Sequence, residues 1–264
     1  MMDAQEVPNY GVELVLPDQE PVSVGWGGWR QLPITERNIM FQKEAALNIC
    51  VRHVPAEYTK IVVMDCDIMF ENEHWLAQTS ALLDHFSAVS PWRRAAWTDA
   101  TGNIVKGANS LGTNPAGIHP GLRVHAGFSI ALRRTFWNDN GVNGLYPYCI
   151  IGGGDVAVGA ALAKCNPVGL ACHVPELSDA YSHYVNRVGK WVNGIAYTDG
   201  IIYHEHHGDL ADRKYDKRVA YIQGLIPEKH LKFTNDGLLE WTSAVPERIP
   251  FNLAQYFQSR KEDN

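Results

Sequence analysis

The feature that most constrains the fold of this 264-residue chain is a short, wholly apolar run that ends in two acids. Residues 61–64 read Ile-Val-Val-Met, and Asp65, Cys66 and Asp67 follow directly. The run follows a helical pattern and is too short to be another helix, so it predicts a central strand of a mostly parallel sheet, covered on both faces. In open α/β sheets, ligands bind at the carboxyl ends of such strands. The two aspartates are therefore expected at a ligand-binding edge.

Helical spacing and short extended runs around this strand indicate an α/β fold. Thr35 can cap a helix that runs to about residue 53, and Pro55 stops it. The length suits a single domain over residues 1–264. Residues 93–120 are rich in Gly, Asn, Thr and Pro and are predicted to form a long, functional or mobile loop. Further strands are predicted at 11–16, 88–92, 124–132 and 200–203, and further helices at 74–86, 156–163 and 214–223.

The charge balance disfavours proteins that bind chiefly by covering phosphates with basic side chains. The formal net charge is -6. Weak basic clusters at 93–94, 133–134 and 213–218 leave a local basic groove possible.

The cysteines and the N-terminal residues predict a cytoplasmic location. The five cysteines are odd in number and lack CxxC spacing, which favours reduced thiols. Cys66 is expected to point back into the core. The first six residues are polar and show no signal peptide, and no apolar stretch approaches the roughly 18 residues of a membrane span.

The acidic triplet at 65–67 has the chemistry of a cation site. Two carboxylates two residues apart, where a strand gives way to a loop, can turn toward one ion. Mg²⁺ and Mn²⁺ prefer oxygen ligands and often bridge carboxylates to substrate phosphates. The alternative is a loop with two solvated aspartates, since the D-x-D pattern by itself is common.

A run of three glycines, residues 152–154, precedes Asp155 and a predicted helix. Glycines allow a backbone to approach a ligand closely and to adopt positive φ. An aspartate at a helix start is also an ordinary N-cap. Three consecutive glycines are more than a cap requires.

Three histidines follow the last predicted core strand, in the sequence His-Glu-His-His at 204–207. His204 and His207 could both reach a metal as neutral imidazoles, and His206 is an alternative to His207. The alternative is a polar strand end with solvated histidines.

Together these segments resemble glycosyltransferases of the GT-A fold, in particular the β-1,4-galactosyltransferase-like group and its bacterial and phage members. Gln-Lys-Glu-Ala-Ala-Leu-Asn-Ile at 42–49 and Val-Val-Met-Asp-Cys-Asp-Ile at 62–68 resemble the helix and D-x-D strand of that group. Gly-Gly-Asp at 153–155 resembles its Gly-Gly-acid-Asp segment. The similarity runs from about residue 36 to 263 and includes the segments at 204–207, 213–218, 235–238 and 256–263.

The chain departs from the group in two places. The arginine-rich donor segment after the first strand is not cleanly present, and Arg30 and Arg37 are the candidates for it. The acidic run after the Gly-Gly pair is reduced to Asp155.

The resemblance implies a GT-A-like, Rossmann-like sheet flanked by helices, with a nucleotide-sugar half at about 1–120 and an acceptor half at about 121–264. It implies inverting transfer from a nucleotide sugar, expected to be a UDP-sugar, with Mn²⁺ or Mg²⁺. Asp155 would be the catalytic base. The other implied ligands are Asp67, His204 and His207 for the metal, and Asp65, Asp67, Arg30, Arg37, Gly153 and Gly154 for the donor.

Other functions use similar residues. A metal-dependent hydrolase or phosphoesterase could use the same acids and histidines, and a non-catalytic carbohydrate- or nucleotide-binding protein is a further alternative. The acceptor could be a saccharide, a lipid-linked glycan or a hydroxymethylated base of phage DNA. Aromatic faces suit sugar rings and bases, and the candidates near loops are Trp26, Trp29, Trp97 and Trp191.

Overall fold

The chain forms a mixed α/β structure in which short strands alternate with helices. The computed structural model describes residues 7–115, 124–164, 179–206, 208, 214 and 217–260. The strands are β1 Gly11–Val15, β2 Trp29–Pro33, β3 Lys60–Met64, β4 Ile68–Phe70, β5 Ala88–Ser90, β6 Arg94–Thr98, β7 Ile104–Ser110, β8 Val124–His125, β9 Ser129–Arg133, β10 Ile195–Tyr197, β11 Ile201–His204, β12 Leu231–Phe233 and β13 Leu239–Trp241. The helices are α1 Lys43–His53, α2 Trp75–Leu82, α3 Gly154–Leu162, α4 Asp179–Trp191, α5 Pro227–His230 and α6 Arg248–Gln258.

The apolar run before the acidic triplet is strand β3, as predicted, but the predicted central position was wrong, because among the described strands β3 lies at the edge of a sheet in the order β10-β5-β9-β3 and its residues alternate between buried and half-buried. β9 pairs antiparallel with both β3 and β5, whereas β10 pairs parallel with β5. β3, β5 and β10 therefore run in one direction, and β9 runs in the other. The α/β class is confirmed, but the hydrogen-bonded sheet is mixed rather than mostly parallel. The reason is that β9 lies between β3 and β5 and runs antiparallel to both.

The second sheet contains strands that the sequence did not predict. Its order is β4-β11-β6-β7-β8, and β6 and β7 form a hairpin inside the predicted loop at 93–120. Asp99 accepts the backbone N–H groups of Thr101 and Asn103, each at 2.9 Å, and so closes the hairpin turn. The loop prediction was wrong for 94–110, because the turn-forming residues masked the strands around them. Residues 116–120 lie outside the described part.

The first predicted helix is divided into two pieces. The backbone N–H of Thr35 donates to Asn38 Oδ1 at 2.6 Å, which caps a single 3₁₀ turn at Glu36–Asn38. α1 begins only at Lys43. Between them, the buried amide of Gln42 bonds to the carbonyl of Asn38 and to the N–H of Leu239, and so anchors the start of α1 to the C-terminal hairpin.

Helix α2 lies within its predicted range, and α3 overlaps the predicted 156–163 but begins two residues earlier, at Gly154. The predicted helix near 214–223 is a 3₁₀ turn at Arg218–Ile222 in its described part. The sequence also missed α4, α6 and the β12–β13 hairpin.

Two smaller expectations have clear outcomes. Cys66 is exposed, so its expected orientation into the core was wrong. Cys50 and Cys149 are buried free thiols, while Cys165 and Cys172 lie outside the described residues. None of the described helices combines the length and the apolar character that crossing a membrane would need.

Asn48 fastens α1 to the segment that leads toward the glycine run. Its Oδ1 accepts from the backbone N–H of Leu145 at 2.8 Å and from Trp137 Nε1 at 2.9 Å. Its Nδ2 donates to the carbonyl of Leu145 at 2.8 Å. All three bonds depend on one buried side chain, so a polar residue on the apolar face of α1 is explained by its partners.

We expect Asn48→Ala to lower the free energy of unfolding by about 2–4 kcal/mol, because three polar groups lose their partner at once. Urea denaturation followed by circular dichroism measures the change. Asn140→Ala, at an exposed position of the same region, is the matched control and should change stability by less than about 0.5 kcal/mol. Equal effects of the two substitutions would contradict the anchoring role of Asn48.

Candidate functional site

Polar side chains from both sheets, α1 and α3 converge on one cleft at the carboxyl end of β3. The cleft therefore lies where ligands bind in sheets of this kind. The side chains that matter for its chemistry are Lys43, Asp65, Asp67, His125, Asp155 and His204.

Asp65 is held from two sides. The Nζ of Lys43, the first residue of α1, lies 3.0 Å from Asp65 Oδ1. The backbone N–H of Asp65 donates to the carbonyl of Phe128 at 2.7 Å. Phe128 has a φ of +71°, which is strained for a bulky side chain, and such residues concentrate at functional sites. The first acid of the triplet is thus fixed by an ion pair and by a strained turn.

Asp67 meets His204 because of the register of the second sheet. β4 begins directly after the triplet and pairs antiparallel with β11, so that Ile68 stands opposite His204. The backbone N–H of Glu205 donates to the carbonyl of Asp67 at 2.9 Å. These contacts place Asp67 Oδ2 3.3 Å from His204 Nε2. The structure therefore brings together a carboxylate oxygen and an imidazole nitrogen, which belong to two of the three residues that the resemblance assigns to a metal.

Asp155 lies in the first turn of α3 and is packed against a glycine. A Cβ added to Gly127 would lie 2.3 Å from Asp155 Oδ2 and 2.8 Å from His125 Cε1. Only glycine fits there. The turn that carries Phe128 thus also supports the predicted base.

The three glycines before Asp155 have separate local reasons. Gly152 and Gly153 have φ of +92° and +90°, a region that favours glycine. Gly152 also faces the guanidinium of Arg218, which would lie 3.0 Å from an added Cβ. A Cβ on Gly154 would lie 2.0 Å from Glu44 Cδ, so the Glu44 carboxyl covers this main chain directly. Backbone conformation and packing therefore account for the glycines without a ligand.

One ammonium group faces three carboxyl groups in this cleft. Burial alone would lower the pKa of Lys43, but the charges of Asp65, Glu44 and Asp155 outweigh burial and raise it. Burial alone would raise the pKa of Asp155, but nearby positive charge, chiefly that of Lys43, holds it below its ordinary value. Lys43 and Asp155 are therefore both charged at neutral pH.

Glu44 behaves in the opposite way. Its side chain is only 3% exposed, and burial raises its pKa from 4.5 to about 7, with Lys43 opposing and Asp155 adding to the rise. Its carboxyl group thus takes up and loses a proton near neutral pH.

Aromatic rings form one wall of the cleft. His125 stacks on Phe128 with ring centroids 4.4 Å apart, and Trp97 meets both rings edge to face. Lys106 Nζ lies 4.6 Å from the centre of the Trp97 ring. Burial lowers the pKa of His125, and its Nδ1 accepts the backbone N–H of Gly127 at 3.1 Å, which leaves Nε2 to carry the proton of a neutral ring.

The other tryptophan candidates have different surroundings. Trp29 packs against Gly11 and also borders the cleft, Trp26 is exposed, and Trp191 donates to the Thr135 hydroxyl.

The structure brings most of the predicted site residues to this cleft, but not all. Arg30 contacts His53, and Arg37 is exposed on the 3₁₀ turn, so neither predicted donor arginine stands beside the triplet. His207 lies outside the described residues. Within the described residues, no group of three or more His, Cys, Asp or Glu side chains gathers as a metal site. The residues that do meet are Asp65, Asp67, Gly153, Gly154, Asp155 and His204.

Sequence reasoning missed four participants. Glu44 was detectable, since it shares the buried face of α1 with Ala45, Asn48 and Ile49, where a carboxylate is out of place. The other three are Lys43, His125 and Arg218, whose positions depend on contacts between distant parts of the chain.

No protein-family model matches the chain, and no curated protein matches it in sequence.

The raised pKa of Glu44 predicts a pH-dependent stability. The folded state binds this proton more tightly than the unfolded state, so the stabilisation is complete below pH 4.5 and is lost as pH rises to about 7. A pKa moved from 4.5 to about 7 corresponds to roughly 3 kcal/mol. Between pH 5 and pH 8, we expect the free energy of unfolding of Glu44→Gln to rise relative to that of the parent, by up to about 3 kcal/mol.

Urea denaturation at pH 5, 6, 7 and 8 measures this difference. Glu57→Gln, at an exposed position, is the control and should leave the pH dependence of the parent unchanged. If Glu44→Gln keeps the full pH dependence of the parent, Glu44 is not the group responsible.

Proposed function

We propose that this chain is a metal-dependent glycosyltransferase of the GT-A type, which transfers a sugar from a nucleotide-sugar donor, a UDP-sugar, to an acceptor hydroxyl. The observation that carries the proposal is the meeting of three groups in one cleft. The first group is Asp155 at the start of α3, and the second is the Asp67–His204 pair at the junction of β4 and β11. The third is the Lys43–Asp65 ion pair.

The strand directions support a nucleotide-binding half. β3, β5 and β10 run in one direction, and the acids follow the carboxyl end of β3. In a Rossmann-like half-domain, the phosphates of a nucleotide donor bind at the carboxyl ends of the strands. The antiparallel strand β9 is compatible with this role, because its direction does not change where the acids lie, at the carboxyl end of β3.

Asp67 and His204 fit a divalent cation. Asp67 Oδ2 and His204 Nε2 lie 3.3 Å apart, so both atoms could hold one divalent cation. Carboxylate oxygen with imidazole nitrogen suits Mn²⁺, and Mg²⁺ prefers oxygen. His207 would complete the protein ligands. When bound, the ion supplies positive charge to the diphosphate leaving group.

Asp155 is suited to remove the proton of the acceptor hydroxyl. Its lowered pKa keeps it ionised at neutral pH, and the absence of a side chain at Gly127 leaves room for its carboxyl group. In-line attack of the acceptor oxygen on the anomeric carbon inverts that carbon. Asp65, held by Lys43, is placed to contact the donor.

One of the three basic clusters, at 133–134, counts against DNA as the acceptor and so favours a saccharide or lipid-linked glycan. Arg133 donates to the carbonyls of Leu83 and Asp84. Arg134 donates to four backbone carbonyls, including that of Val54 at 2.7 Å. These two arginines hold the main chain together and are therefore not free to bind phosphates.

We expect Asp155→Asn to keep donor binding and to lose at least about a hundredfold in transfer rate, because the amide cannot accept the proton. The donor is first identified by thermal stabilisation with a panel of nucleotide sugars in Mn²⁺, and transfer is then assayed with saccharide acceptors. Asp139→Asn, at an exposed position, is the control.

A near-normal transfer rate in Asp155→Asn would remove Asp155 as the base. Rapid hydrolysis of the donor that no acceptor diverts would instead identify a hydrolase.

The metal site gives a second expectation. An excess of chelator should abolish transfer, and Mn²⁺ or Mg²⁺ should restore it. Electron paramagnetic resonance of Mn²⁺ should show that His204→Ala weakens binding by about tenfold or more, whereas His183→Ala, on the exposed face of α4, should not. Full transfer in excess chelator would contradict the metal-dependent mechanism.

A further inference from the structure

Glu44 is a buried acid for which the transfer reaction outlined above has no role. It lies at the start of α1 beside Lys43, and its carboxyl group rests on the main chain of Gly154, next to Asp155. Among the described residues, its Oε2 atom has no hydrogen-bond partner. A buried carboxylate oxygen in this state requires an explanation, because leaving it unpaired is costly.

A small cavity joins this carboxyl group to Asp155. The cavity measures about 40 Å³ and is bordered by Lys43, Glu44, Asp65, Ser129 and Asp155, among others. Ser129 Oγ is a second buried polar atom with no partner among the described residues. Most of its lining is apolar, but its polar members stand together on Lys43, Glu44, Asp65, Ser129 and Asp155, and its volume exceeds the about 10–15 Å³ that one water molecule needs. Two buried oxygens and the base thus border one space that water can enter.

We propose that Glu44 is the terminal proton acceptor of the site, which receives through water in this cavity the proton that Asp155 takes from the acceptor hydroxyl. The proposal rests on the proposed transferase function. The acceptor oxygen forms its bond to the anomeric carbon as the bond from that carbon to the diphosphate breaks. The O–H proton passes to Asp155, then to water and then to Glu44, and returns to solvent by the same route after the products leave.

The charges around Glu44 give a physical reason for this path. Lys43 faces it from α1, Asp65 from the end of β3, and Asp155 from α3, while His125 and Arg218 act on Asp155. One ammonium cannot balance three neighbouring carboxylates, of which Glu44 is buried and Asp65 and Asp155 are half-buried, so a proton held within the group is favoured. Nearby positive charge keeps Asp155 ionised. The shared proton therefore belongs on Glu44, which burial makes the weakest acid of the three.

The first arm of the test needs no substrate. Infrared difference spectroscopy of the full chain between pH 5 and 9 should show a buried carboxylic acid that titrates near pH 7. Glu44→Gln should abolish that signal. Asp155→Asn should move it to lower pH by about one unit, because a neighbouring negative charge has been removed. The Asp155→Asn shift leaves Glu44 intact, so it is informative even if Glu44→Gln folds poorly.

A signal that persists in Glu44→Gln, or one that Asp155→Asn leaves in place, would overturn the shared proton.

The second arm measures transfer against pH. In the parent, kcat should fall as pH drops below about 7, where Glu44 is already protonated. In Glu44→Gln, kcat should be lower by about tenfold or more at pH 8, and its dependence near pH 7 should disappear, with KM for the donor unchanged. Glu57→Gln is again the control.

The two arms separate the two proposals. Transfer with an unchanged pH profile in Glu44→Gln would reject the proton path and leave the transferase function standing. The expected titration without transfer from any nucleotide sugar would support the coupled acids and reject the transferase function.

Discussion

The ion pair between Lys43 and Asp65 is the interaction on which the rest of the cleft depends. Burying several carboxylates together is unfavourable unless a cation or a proton compensates them. Lys43 supplies the cation, and its place as the first residue of α1 is fixed by Gln42, which bonds across to Leu239. The helix start, the acidic strand end and the C-terminal hairpin are therefore coupled through two adjacent side chains.

The turn at residues 125–128 is the second constraint, because it links the two ends of the cleft. The carbonyl of Phe128 receives the N–H of Asp65, while Gly127 makes room for Asp155. Phe128 has a positive φ, and in this conformation it stacks on His125 and its carbonyl accepts the N–H of Asp65. A shift of this turn would displace the acidic triplet and the base together.

Local patterns predicted the parts of the site that are formed by consecutive residues in the sequence. The strand at 61–64 and the acids after it are where the sequence placed them along the chain, although β3 is an edge strand, and the helix near the glycines begins two residues early, at Gly154. The direction of β9 and the β6–β7 hairpin depend on pairing between distant segments, which no local pattern encodes. Arg30 and Arg37 were chosen for their charge alone, and Arg30 is engaged with His53. Glu44 was recognisable from the sequence only as an acid on the apolar face of a helix, and it was not among the predicted site residues.

Charge compensation also explains why two acids so close in sequence would have different partners. Asp65 already faces an ammonium group at 3.0 Å, so a divalent cation there would meet the repulsion of Lys43. Asp67 faces the imidazole of His204, which offers a lone pair when it is neutral. Under the proposed function, a cation entering the cleft would therefore be favoured at Asp67, and Asp65 and Asp155 would remain available to the donor and the acceptor. Under the proposed function, the position of Lys43, more than the D-x-D spacing itself, would determine which of the two aspartates binds the cation.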